Sequence, residues 1–350
     1  MENKDLDLKV LCKILYDNMG FATHYEVKIR NRSYINQYKV HDISDIDVYG
    51  YKFNGDLSFT SVGAECKSGE TNALEEFFKF LGIVDHYNIN VGYLIKTKIH
   101  QNAREMAAKN NFRCFTEAEI RKVLHGFGID IDRQQKVELA KYSRFLKQME
   151  ALKKRNEKLY DYISLDYWNR ENWRNIHNLL HLLHNKQGLV LIEDPVFALS
   201  NKYTHYYILE LFSRSVLKNI SDAMLLNYSD IESSILSSLF GGAESLHERR
   251  RIFDMVSQVT GKATELEAEW TQDYLLLCSK YSQSTLAASQ IPRLIQDLYG
   301  NCFYDDRIKI NVGILKKYPD VTRKFTQDLM QFLTKTCEID QSVFSDFMEV

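Results

Sequence analysis

Apolar residues recur at helical spacing at Leu8, Leu11, Cys12, Ile14 and Leu15, and the run stops at Gly20, so the chain is expected to open with a helix over 5–18. From 24 to 29 the period changes to two, with Tyr25, Val27 and Ile29 on one face of a strand. Further strands are expected near 39–51 and 58–67. The turn signal Asn54-Gly55-Asp56 between them makes the three an antiparallel meander. Helical spacing returns at Leu74, Phe77, Phe78, Leu81 and Val84, predicting a second helix over 72–87. The apolar run Val91-Gly92-Tyr93-Leu94-Ile95 suits a strand buried on both faces. An alanine-rich helix over 101–110, a strand over 112–116 and a helical stretch over 117–124 follow.

Beyond residue 130 the pattern is helical almost throughout. One long helix is expected over 133–162, a Trp-, Leu- and His-rich helix over 167–185, and a short strand or buried loop at 188–192. Further helices are expected over 197–226, 231–239, 244–259 and 264–282, another near Pro292, and a last one opened by Tyr318-Pro319-Asp320. No fixed-period repeat is present. With 350 residues, 45% of them hydrophobic, and only three prolines, the chain is long enough for two domains rich in helix. The change of pattern divides them at 1–128 and 129–350.

Alternation places Asp45 and Asp47 on one strand face and Ile46 and Val48 on the other. The same rule groups Glu65 with Lys67 and turns Cys66 away. A hairpin between the two segments brings the acids together. Converging carboxylates repel one another and call for a cation, and Mg²⁺ takes one or two carboxylates plus waters and phosphate oxygens. A lysine on the same face suits metal-assisted hydrolysis of a phosphodiester, where an ammonium steadies a water or the developing charge. The plain alternative is an acidic hairpin with an exposed Glu-Lys pair.

Asp47 followed by Glu65-Cys66-Lys67, set in the order helix, three strands, helix, strand, helix, strand, resembles the PD-(D/E)xK or restriction-endonuclease-like nuclease superfamily over roughly the first third of the chain. Ile46 stands where the proline of the family name would be. The resemblance implies an α/β fold, a mixed sheet flanked by helices, here followed by an all-α C-terminal domain. It implies Asp47, Glu65 and Lys67 as catalytic residues, with Asp47, Glu65 and the Cys66 backbone carbonyl as ligands of Mg²⁺ or Mn²⁺. Asp45 is an accessory candidate for a second ion or a water, and Glu26 for a side chain projecting toward the site. Asp7 would supply the acid that superfamily members often add from the first helix. The implied activity is that of an endonuclease on DNA in prokaryotic defence. An RNA nuclease and a catalytically silent DNA-binding or partner-binding module are the alternatives.

The formal net charge of −2 leaves room for a local basic patch, and the run from Arg133 to Lys158 is rich in lysine and arginine. That run reads as a solvated helix face or as a contact for a polynucleotide backbone. Six scattered cysteines without a CxxC pair indicate neither a zinc site nor a disulfide framework. His177, His181 and His184 share one helical stripe, but Asn178 stands where a metalloprotease helix needs glutamate, so a helix edge or interface is the expected role. No Walker-type loop occurs, so an ATP-driven step would need a partner. With no run of about 18 apolar residues and a polar start, a soluble cytoplasmic protein is expected, its helical domain binding a partner or a second copy of the chain. One triad cuts one strand, so a homo-oligomer would be needed to cut both.

Overall fold

In the computed structural model the described residues are 5–32, 40–69, 72–184, 198–226, 230–261, 266–302, 312–344 and 347. The first part of the chain forms α1 (Leu6–Asn18), β1 (Ala22–Arg32), β2 (Val40–Phe53), β3 (Phe59–Lys67), α2 (Ala73–His86), β4 (Val91–Lys96), α3 (Gln101–Lys109), β5 (Phe112–Thr116) and α4 (Glu117–Gly126). This is the expected order, with boundaries shifted by up to three residues. The strands make one five-stranded sheet in the order β1-β2-β3-β4-β5. β1 and β2 pair antiparallel, and β3, β4 and β5 pair parallel, so the sheet is mixed. Local chemistry sets several boundaries. Gly20 takes φ +81° where α1 stops. Asn72 caps α2 by accepting from the Leu74 amide, and Thr116 and Glu119 form a reciprocal capping box at α4.

One core packs Leu8, Leu11, Cys12, Leu15 and Tyr16 of α1 against Val48, Val62, Ala64, Cys66, Tyr93 and Ile95 of the sheet and Ile120 and Leu124 of α4. Phe112 lies edge-on to Phe77 and Phe80 of α2 and covers Gly92, where an added Cβ would meet its ring at 2.3 Å. Only glycine fits beneath that ring.

The helix expected over 133–162 is divided, and the one expected from 167 begins at Asn172 after a 3-10 turn. The long helix α5 (Ile131–Arg155) ends early, and α6 (Glu157–Asp161) starts afresh because the Asn156 side chain accepts from the Leu159 amide as a cap. Chain contacts divide the protein into a first unit of Met1–Lys52, Phe59–Lys153 and Tyr160–Asn169, and a second of Phe53–Ser58, Lys154–Leu159 and Arg170–Val350. The first unit therefore runs well past 128. The reason is the inner face of α5: Glu138 is buried 3.3 Å from Lys13, and Tyr142 packs edge-on to Tyr25 at 4.7 Å.

A π-helical turn (Tyr162–Asp166) and a 3-10 turn (Tyr167–Asn169) follow α6 and close the first unit against the edge strand β1. The Asn169 amide donates to Lys28 O at 2.9 Å and accepts from the Arg30 amide at 2.8 Å and the Tyr87 hydroxyl at 2.5 Å. One side chain thus stands in for a missing neighbouring strand. Asn169→Ala is expected to cost about 2–3 kcal/mol of stability, because it strands two backbone groups and a hydroxyl. Urea denaturation measures it, and a loss near zero would show that water replaces the amide.

The second unit contains α7 (Asn172–His184), α8 (Ala198–Leu226), α9 (Ile231–Leu239), α10 (Ala243–Thr260), α11 (Thr271–Gln283), α12 (Thr285–Ala288), α13 (Ile291–Cys302), α14 (Val312–Leu315) and α15 (Asp320–Cys337). The expected helix over 264–282 begins only at Thr271. The strand or loop expected at 188–192 lies outside the described residues. Helix α8 is buried nearly all round, from Tyr203 through Ala223, as suits a central helix. Its buried Asn219 donates to the Tyr274 hydroxyl of α11 at 2.9 Å. Among the described residues no helix is long and apolar enough to cross a membrane.

Candidate active site

The side chains of Asp47, Glu65 and Lys67 meet where β3 ends. Asp47 is almost fully buried, at 3% exposure. Its Oδ2 accepts from the Cys66 amide at 2.7 Å, so the carboxylate is held against the β3 backbone. Lys67 Nζ lies 2.8 Å from Glu65 Oε1 and 3.8 Å from Asp47 Oδ2. Cys66 points the other way, into the core with Cys12. Alternation along β3 therefore sorts the triplet as expected: two polar side chains to the site and one thiol to the interior.

Burial pushes the Glu65 carboxyl up to about 7, and the nearby Asp47 charge adds to the push despite the Lys67 ammonium. For Lys67, burial works against the charge, but Glu65 and Asp47 outweigh it and hold the ammonium above its usual range. Between the ordinary 4.5 and about 7, folded Glu65 keeps a proton that the unfolded chain has lost. Stability of the metal-free protein should therefore fall as pH rises across that window, by roughly 3 kcal/mol from this group. Glu65→Gln removes that slope. Urea denaturation of both proteins at pH 5 and pH 8 checks it, and equal slopes would contradict the buried, charge-crowded site.

Two residues that the pattern of the chain did not single out complete the cluster. Lys9 of α1 is buried at 6% exposure, with Nζ 2.8 Å from Asp47 Oδ1 and 2.9 Å from Glu26 Oε1. Burial disfavours its charge, yet Asp47 and Glu26 overcome this and raise its ammonium above the ordinary range. One turn earlier, Asp5 Oδ1 accepts from the Ser68 amide at 2.6 Å and fastens the end of β3 to α1. Burial opposes the Asp5 charge, but the Ser68 bonds and the two lysines bring its carboxyl below the usual value. The signal for Lys9 was a lysine set between Leu8 and Val10 in the apolar stretch that opens α1, since a buried lysine needs a partner.

The accessory acids divide. Glu26 does reach the cluster through Lys9, and it has φ +53° in mid-strand, a left-handed conformation costly for a side chain with Cβ. Burial and the Glu26 charge push the neighbouring Tyr142 phenol up to about 12. Asp45 instead pairs across the strands with Lys28 at 3.0 Å, at the surface. Asp7 is exposed and accepts from Gln135 at 3.0 Å. Asp5, just ahead of α1, is four residues from Lys9 and shares its face, whereas Asp7 is turned away from both. A further lysine, Lys96, stands beside Lys67 in the β3–β4 register, with Nζ 3.2 Å from Gly69 O.

The donor set suits a hard divalent ion. Asp47 and Glu65 offer only oxygen, and their mutual repulsion is what such an ion relieves. Among the described residues no group of three or more His, Cys, Asp or Glu is placed to hold a metal, so protein ligation would rest on these two carboxylates with backbone oxygen and water. That is the coordination Mg²⁺ accepts. The histidine stripe has other employment: His177 Nε2 lies 3.1 Å from Leu239 O, its ring sits among Trp173, Phe240 and Trp270, and His181 and His184 are exposed. Comparison of the chain with protein-family models, curated proteins and solved structures finds no match.

Proposed function

We propose that the chain is a metal-dependent nuclease of the restriction-endonuclease-like type, hydrolysing phosphodiester bonds in DNA. The observation that carries this reading is the convergence of Asp47 and Glu65 at one buried point with the Lys67 ammonium 2.8 Å from Glu65 and 3.8 Å from Asp47. Asp47 and Glu65, with the Cys66 carbonyl, would hold Mg²⁺ or Mn²⁺. When bound, such an ion supplies Lewis acidity and a water of lowered pKa. The chain itself does the positioning. The Cys66 amide and Lys9 fix both oxygens of Asp47. Asp5 fixes the Ser68 amide, and so the strand end that carries Glu65 and Lys67. Lys67, about a third exposed, is accessible enough to orient a water or to receive the charge developing on a phosphate.

The second unit is proposed to bind a protein partner or a second copy of the chain, which would bring two sites to the two strands of a duplex. Defence against foreign DNA is the proposed setting. Incubation with Mg²⁺ of single- and double-stranded DNA and RNA, side by side, tests the substrate. Cleavage of duplex DNA that stops on adding a chelator is expected. Cleavage confined to RNA would redirect the assignment, and no cleavage of any polymer with Mg²⁺ or Mn²⁺ would overturn it.

A further inference from the structure

Lys9 occupies an unusual place. Two carboxylates on neighbouring strands, Glu26 of β1 and Asp47 of β2, converge on its single ammonium at 2.9 and 2.8 Å, with the lysine side chain only 7% exposed. The β1–β2 register, which pairs Tyr25 with Val48 and Val27 with Ile46, sets Glu26 opposite Asp47. Glu26 is also the strand residue held at φ +53°. Strain of that kind persists where the surroundings over-determine it, and here the Glu26 side chain bonds both the Lys9 ammonium and the Tyr142 hydroxyl. Without that charge, the buried Asp47 and the one-third exposed Glu26 would face each other, an arrangement that recruits a cation.

Asp47 therefore has two cationic sides. Oδ1 faces Lys9, and Oδ2 lies toward Lys67 and, through it, Glu65. Three carboxylates, Glu26, Asp47 and Glu65, thus share two ammonium groups, Lys9 on one side of Asp47 and Lys67 on the other. We infer that Lys9 is a built-in cation: its ammonium fills the position between Asp47 and Glu26 that a second divalent ion would otherwise take, so the site binds one ion rather than two. Lysine suits the place because an ammonium is a compact point charge with three donors. This inference rests on the metal site proposed above and goes beyond it by assigning its stoichiometry to a residue of α1.

Counting Mn²⁺ bound at saturation to the full chain, by equilibrium dialysis with electron paramagnetic resonance of the free ion, tests it. The native chain should bind one Mn²⁺, and Asp47→Asn should lose it. Lys9→Met should bind two, and Lys9→Met combined with Glu26→Gln should return to one. Two ions on the native chain, both lost in Asp47→Asn, would overturn the role of Lys9 and leave the metal site standing. No ion on the native chain, or an ion kept by Asp47→Asn, would overturn the site itself. Two ions on the native chain refute the inference even where circular dichroism shows Lys9→Met unfolded, and a folded Lys9→Met that still binds one ion refutes it as well.

Discussion

Lys67→Ala is expected to lower Mg²⁺-dependent cleavage of duplex DNA by about 10²–10³-fold, the range seen when one preorganised charge is removed from a developing oxyanion. The fold should survive. The Lys67 side chain is 32% exposed, and its closest partner, Glu65, can take up a proton when the ammonium is gone. The melting temperature should move by only a few degrees, and the variant should still bind Mn²⁺, because both carboxylates remain. This separates Lys67 from Asp47, whose replacement by asparagine is expected to remove cleavage and metal together. Initial rates on a plasmid, read beside Mn²⁺ binding, make the comparison. Cleavage by Lys67→Ala at the native rate would remove the lysine from the chemistry.

Lys9→Ala is the substitution expected to cost the most stability, about 3–5 kcal/mol, as when one partner of a buried ion pair is deleted. The magnitude follows from what is left behind. Asp47 is 3% exposed and would lose the cation 2.8 Å from its Oδ1, and Glu26 would keep its left-handed backbone without the bond to Lys9. Adding Glu26→Gln should restore part of the loss, since one of the two stranded charges then disappears. Urea denaturation of the two single variants and the double variant gives the coupling. A loss below about 1 kcal/mol for Lys9→Ala would mean that water reaches Asp47 freely and that the cluster is not a closed site.

Much of this arrangement was legible along the chain. The switch from period 3.6 to period 2 and back located the strands and helices of the first unit, most plainly at α2, which buries one face through Ala73, Phe77, Phe80 and Val84. The same alternation sorted Glu65 and Lys67 from Cys66. Asp5 and Lys9 were not found, because α1 is buried on most of its circumference and an apolar pattern without a clear polar side cannot say which residue meets the end of β3. Asp45 was drawn toward the site by sharing a face with Asp47, but the β1–β2 register gave it Lys28 as a nearer partner. The limit of the first unit was set too early for a related reason. Helix α5 looks solvated by composition, and only the contacts of Glu138 and Tyr142 reveal that its inner face belongs to the sheet-bearing unit. The end of α5 at Arg155 depends on one asparagine choosing to cap the next helix.

Asp47 and Glu65 are proposed to form a single cation pocket beside Lys67. A crystal of the protein soaked in Mn²⁺ and measured at an energy where manganese scatters anomalously tests it most directly. One anomalous peak is expected within coordination distance of carboxylate oxygens from both residues, at about 2.0–2.3 Å. A map with no peak there at saturating Mn²⁺, or with the ion held by other side chains, would contradict the account.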